Sequence, residues 1–168
     1  MNQTCPLDQL KENETISNIL YLEEISKYFY NFLKLLLNHE DVILRDVKMG
    51  DTDPRFTLED NQREINLRGF EFYSFDEFIS ILSKTKSKIK IQTSGTTGQP
   101  KSISHPISNL IRQIRVGSKY ENNVWCFAYS PTHIAGIQVF LQAFFNCNPI
   151  YYLFEKNSNY IIEKFKLT

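Results

Sequence analysis

Apolar residues recur at helical spacing early in the chain and at alternate positions near its middle. From Ile19 to Asn38, the residues Leu22, Ile25, Phe29, Phe32 and Leu36 step by three and four, which predicts an amphipathic helix with one face on a core. Leu33, Leu35 and Leu37 widen the stripe, so this helix should be covered on two sides. Its polar side mixes Glu23, Glu24 and Asn31 with lysine, which fits core packing rather than membrane attachment. Residues 1–15 are polar and read as a frayed tail. Asp41-Val42-Ile43-Leu44 predicts a short strand and Gly50-Asp51-Thr52-Asp53-Pro54 a turn, with Asp51 and Asp53 as turn formers rather than metal ligands. Glu64–Leu67 and Phe70–Phe72 alternate about Arg68-Gly69, predicting a small hairpin. Ser74-Phe75-Asp76-Glu77 matches a capping box opening a helix that turns Phe78, Ile81 and Leu82 inward.

The second half alternates strand and helix. Ile89–Gln92 reads as a strand with one buried face, and Pro106 to about Val116 as a helix opened by Ser104-His105-Pro106 and stopped at Gly117. Val124–Ala128 predicts a buried strand, Ile134–Asn146 an apolar helix, Pro149–Phe154 a strand, and Ser158–Phe165 a last helix. Such alternation with short connections implies an α/β fold with a parallel sheet, preceded by a small helix and hairpin segment. Ligands of such sheets sit beyond the carboxyl ends of the strands, so the segments after Gln92 and after Ala128 should share one edge.

Composition narrows the function classes. The 168 residues suit a single core-forming domain, and 19 Lys and Arg against 19 Asp and Glu argue against a nucleic-acid scaffold. The aromatic content is 14%, and Tyr28, Phe29, Tyr30, Phe32, Phe70, Phe72, Tyr73, Phe75 and Phe78 are expected in packing, since few basic residues interleave with them. Neither a signal-peptide pattern nor a run long enough to span a bilayer occurs. Cys5, Cys126 and Cys147 fit neither a disulfide framework nor zinc spacing, which points to a reducing cytoplasm. No Gly-x-Ser-x-Gly elbow supports hydrolysis. Lys84, Lys86, Lys88 and Lys90 alternate as a solvated strand face would.

The segment with chemistry is Thr93-Ser94-Gly95-Thr96-Thr97-Gly98-Gln99-Pro100-Lys101. Gly95 and Gly98 permit positive φ and close approach, the hydroxyls of Thr93, Ser94, Thr96 and Thr97 add donors, and Lys101 adds a mobile cation. Placed between a strand and a helix, such a loop can cradle a polyanion such as nucleotide phosphates. The spacing is not that of a Walker A loop. Strands running antiparallel around Gly95 and Gly98, or those glycines sealed under neighbouring side chains, would count against the nucleotide reading itself.

The nine residues closely resemble the phosphate loop of the adenylate-forming (AMP-binding) superfamily, which includes acyl- and aryl-CoA ligases. Tyr129-Ser130-Pro131-Thr132-His133-Ile134-Ala135-Gly136 resembles that family's next motif, in which a histidine lies at the mouth of the acyl pocket. The resemblance runs from about residue 88 to 168 and is weak over 1–87, dividing the chain into an N-terminal segment and an incomplete nucleotide-binding segment. It implies part of a large N-terminal domain of an ATP-dependent ligase that adenylates a carboxylic acid and passes the acyl group to a thiol such as CoA or a carrier protein. It also implies Thr93, Ser94, Gly95, Thr96, Thr97, Gly98 and Lys101 on ATP, Mg²⁺ as cofactor, no metal ligands from this segment, and His133 in the carboxylate pocket. The family's later adenine, ribose and lid motifs have no counterpart here. The expectation is therefore a piece that is inactive alone and needs a further portion or companion chain, with neither nucleic acid nor membrane as partner. A non-catalytic nucleotide or anion binder is the alternative.

Overall fold

Val42, Ile43 and Leu44 are consecutive, and all three are buried. A strand whose successive residues are all hidden must be covered on both faces. This strand, β3 (Val42–Arg45), lies between its parallel neighbours, β2 (Ile19–Tyr21) and β5 (Lys88–Thr93), with β6 (Lys101–Pro106) antiparallel on the far side of β5. The computed structural model describes residues 10, 12–46, 62–93, 101–157, 159–161 and 163. It is a mixed α/β fold with several sheets that include parallel strands. Two compact units divide it, Met1–Arg112 and Gln113–Thr168. That division follows packing, whereas the one at residue 87 followed sequence resemblance.

In the first unit, β1 (Glu14–Ser17) pairs antiparallel with β4 (Glu64–Leu67). Asn18, buried between β1 and β2, ties them to their neighbours. Its N–H donates to Arg63 O at 3.1 Å, its Oδ1 accepts Arg63 N–H at 2.8 Å, and its carbonyl accepts Ile43 N–H at 2.9 Å. The single helix expected from Ile19 is thus a strand followed by α1 (Ile25–Leu37). The three-four stripe is real, but Ile19-Leu20-Tyr21 gain more by joining the sheet, and Ser17 Oγ accepts Ile19 N–H at 3.1 Å to turn the chain into it. The expected hairpin is also re-paired. β4 meets β1 rather than residues 70–72, which pack their rings instead, Phe72 edge-on to Phe78 at 5.0 Å between centroids. Tyr73 departs from the packing role and is 95% exposed.

Nor is the start of the chain simply a frayed tail. Leu10 is buried, and residues 12–14 bind a lysine of α1. Lys34 is wholly buried, and its three ammonium protons go to Glu12 O at 2.7 Å, Glu14 Oε2 at 2.8 Å and Tyr30 Oη at 3.0 Å. A buried ammonium is tolerated because each donor has a partner. Burial pulls the Lys34 pKa down, but the bonds from Glu14 and Tyr30 more than offset it, so the net direction is up. Burial, aided by the charge of Asp46, pushes the Tyr28 hydroxyl far above its ordinary value.

Ser74 opens α2 (Phe75–Lys84) as the capping box predicts: its Oγ accepts Glu77 N–H at 3.1 Å, and Glu77 Oε2 accepts Tyr73 N–H at 2.8 Å. Phe78 and Leu82 are buried, while Ile81 is half-buried. Thr85 and Ser87 then enter β5 as buried hydroxyls bonded to each other at 2.9 Å. The helix after β6 is short, α3 (Ile107–Ile111).

The second unit pairs β7 (Trp125–Phe127) in parallel with β8 (Ile150–Tyr152) around α4 (Ile134–Phe145). The parallel crossover over 124–154 is as expected, but β7 is not the buried strand predicted: Phe127 is buried, whereas Val124, Cys126 and Ala128 are exposed. The three predicted strands do not share one sheet, however, because β7 and β8 form their own. Gln138, Gln142 and Asn146 form a polar ladder along α4 and bind segment 113–115 through Gln113 Oε1 at 2.6 Å and Arg115 O at 2.7 and 2.9 Å. Asn157 Oδ1 caps the last helical residues, accepting Tyr160 N–H at 2.8 Å. The Gly50–Pro54 turn, Cys5 and Ser158 lie outside the described residues.

Both long helices end the same way without glycine. After α1, His39 N–H donates to Leu36 O at 3.0 Å and Glu40 N–H to Leu35 O at 3.0 Å, with His39 at φ 60°. After α4, Cys147 N–H donates to Phe144 O at 3.1 Å and Asn148 N–H to Ala143 O at 2.9 Å, with Cys147 at φ 52°. These are Schellman ends whose left-handed position normally belongs to glycine. His39→Gly and Cys147→Gly should therefore each stabilise the protein by about 0.5–1 kcal/mol in urea denaturation. Stability should also fall in alkali. Lys34 and Tyr28 hold their protons more tightly folded than unfolded, so their contribution is complete below the ordinary values of 10.5 and 10.0 and is lost as pH rises through the folded values. Urea midpoints measured at about pH 8 and about pH 11 should drop accordingly.

Candidate functional site

Alternation places the candidate loop. Ile89 and Ile91 are buried opposite Val42 and Leu44 on one side of β5, while Lys86 and Lys88 are exposed and Lys90 is half-buried, as a solvated lysine face requires. The first described residues after Thr93 do not form a helix. The chain returns as β6, and six pairs run from Lys88↔Pro106 to Thr93↔Lys101. The strand–loop–helix frame is thereby corrected to a β-hairpin, and its antiparallel strands are the arrangement that counts against the nucleotide reading. Ser102, Ile103, Ser104 and His105 alternate polar with less polar, and this short run completes the ladder of β5 before Ile107 can start a helix. His105 is accordingly a strand residue opposite Ile89, not part of a helix entry.

The hairpin brings the backbones of Thr93 and Lys101, the two ends of the candidate motif, directly across from each other, with Lys101 exposed. Ser94, Gly95, Thr96, Thr97 and Gly98 lie outside the described residues. Among the described residues the loop is followed by β6 rather than by the expected positive end of a helix.

The histidine motif belongs to the second unit. His133 is the N-cap residue of α4 with extended backbone. Its N–H donates to Ser130 O at 3.1 Å, its carbonyl accepts Ile137 N–H at 3.0 Å, and its side chain is exposed and makes no capping bond. The turn before it is fixed by hydroxyls: Ser130 Oγ and Thr132 Oγ1 bond at 2.9 Å, and Pro131 and Thr132 are buried. Gly136 is demanded by close approach, because a Cβ there would lie 2.2 Å from Ser130 O and 2.8 Å from Ser130 C. The Pro-Thr-His-x-x-Gly spacing thus has a local cause. Glycine lets the first turn of α4 sit on the Ser130 carbonyl, and this presents His133 outward. The hairpin and the His133 turn lie in different units, so their expected convergence on one edge is a matter for proposal.

A cavity of about 410 Å³, lined by Glu12, Glu14, Glu24, Ser26, Lys27 and Tyr30, is a feature the hydrophobic pattern gave no sign of. Burial raises the Tyr30 hydroxyl pKa there, and the bond to Lys34 works against that rise. Among the described residues there is no cluster suited to hold a metal ion, and no helix is long and apolar enough to cross a membrane. No family model matches the chain, and neither a curated protein nor a solved structure does.

Gly136→Ala tests the packing beneath the histidine. The clash involves backbone rather than a mobile side-chain end, so the loss should be about 2 kcal/mol or more in urea denaturation. Gly117→Ala is the comparison. It has open space around the new methyl but a backbone at φ 141°, and should cost about 1–3 kcal/mol from strain alone.

Proposed function

We propose that the chain binds the phosphates of ATP at the Thr93–Lys101 hairpin and forms the leading part of an ATP-dependent carboxylate-activating ligase. The observation that carries this reading is the nine-residue sequence Thr93-Ser94-Gly95-Thr96-Thr97-Gly98-Gln99-Pro100-Lys101 at a β-hairpin turn, with the ends of the motif paired across the ladder. The chemistry needs donors that meet the β- and γ-phosphates as pyrophosphate departs. Main-chain N–H groups beside Gly95 and Gly98, four hydroxyls and the Lys101 ammonium supply them without a helix behind the loop. Mg²⁺ would offset phosphate charge when bound. In this reading exposed His133 faces a carboxylic acid substrate, and a thiol of CoA or a carrier protein accepts the acyl group.

One observation favours the second reading, a nucleotide or anion binder without catalysis. The antiparallel return removes the strand–loop–helix frame, so the phosphate reading rests on the loop's own donors. Titration separates the two. The ligase reading expects MgATP and pyrophosphate to bind far more tightly than sulfate, whereas a general anion binder should rank ligands by charge alone. Lys101→Ala and Gly95→Val should each weaken ATP binding by about tenfold or more in calorimetry, with unchanged circular dichroism. Wild-type protein that shows no heat with ATP would remove both readings.

A further inference from the structure

The hairpin that carries the candidate loop also ends its sheet. β6 is the outermost strand, and every residue in it except half-buried His105 is exposed. Among the described residues no strand pairs with its outer side. The register sorts its side chains. Ser104 shares a face with Lys90 and Pro106 with Lys88, while Ile103 lies opposite Ile91 on the other face and is 42% exposed.

Charge is strongly one-sided here. From Phe78 to Arg112, the end of this unit, the chain has no Asp or Glu but six Lys and Arg, although its net charge is zero. Asp41 meets the start of β5, where its carboxylate accepts the main-chain N–H of Lys88 at 2.8 Å. A strand added outside β6 would lie about 4.8 Å from it and about 10 Å from β5. A lysine and a glutamate together can span the longer distance, and the intervening Ser104 and Pro106 are too short to stand in the way.

We propose that the outer edge of β6 takes up an extended acidic segment of a partner protein. Main-chain pairing supplies the attachment, and carboxylates at alternate positions reach over Ser104 to Lys90 and over Pro106 to Lys88. Apolar residues at the intervening positions meet Ile103. Other partners fit less well. A nucleic acid wants stacking rings, and residues 84–106 hold no Phe, Tyr or Trp. A membrane wants apolar side chains among the lysines, and this face offers serines instead. A second copy would set two basic edges side by side. The proposal does not depend on phosphate binding at the loop.

The test uses the full chain and a fluorescein-labelled octapeptide alternating glutamate with valine, followed by fluorescence anisotropy. Binding is expected, and replacing glutamate by glutamine in the peptide should weaken it about fivefold or more. Lys88→Gln combined with Lys90→Gln should weaken it similarly, and N-methylation of alternate peptide bonds should abolish it by blocking the ladder. Any of four results overturns the proposal: no binding, equal binding of the glutamine peptide to wild-type protein, equal binding of the N-methylated peptide, or tighter binding of a uridine oligonucleotide or a phosphatidylserine vesicle. The peptide arms use wild-type protein and so stand whether or not the lysine variant folds.

Discussion

The first unit depends on the pairing of β5 with β3. Val42 faces Ile89 and Leu44 faces Ile91, and all four are buried. Strand side chains alternate strictly, so a slip of one residue would drive Lys88 and Lys90 into the core and bring isoleucines to the surface. The cost of burying unpaired ammonium groups fixes the register far more firmly than hydrogen bonds, which a slipped ladder would largely remake. That register in turn fixes β6, and with it the pairing of Thr93 and Lys101 that closes the hairpin on the candidate loop. A sheet pairing thus sets the mouth of the proposed binding site and the face on which the lysines stand.

Sequence patterning reached the elements governed by a single local cause. The capping box at Ser74, the helix from Ile134 and the strands around Ile43, Ile89 and Tyr151 all lie close to where the pattern puts them. It missed where two local preferences competed. Ile19-Leu20-Tyr21 continues a helical stripe but also suits a strand, and pairing with β3 decided the outcome. Ser102-Ile103-Ser104-His105 was hidden by the proline after it, which looked like a helix start. The partners of β4 and of Lys34 could not be read at all. Both contacts join residues far apart in the chain, such as Glu14 with Leu67 and Lys34 with Glu12, and no local periodicity encodes them.

The candidate site divides in the same way. The exposure of His133 and the need for glycine at Gly136 have a visible reason, the seat of α4 on the Ser130 carbonyl. The candidate loop offered a chemical pattern in the sequence but not its architecture. Its donors are written in the sequence, whereas the antiparallel return that holds its ends depends on six cross-strand pairs. Among the described residues a strand rather than a helix follows the loop, so the proposed phosphate affinity is assigned to the loop's own N–H groups, hydroxyls and Lys101.

The central claim is that this hairpin turn holds polyphosphate. Amide spectra of isotope-labelled protein titrated with pyrophosphate test it most directly. The account predicts saturable shifts concentrated at Gly95, Gly98 and the pair Thr93 and Lys101, with the β2–β3 amides unmoved. Shifts absent from those residues, or spread evenly over the exposed lysines, would contradict it.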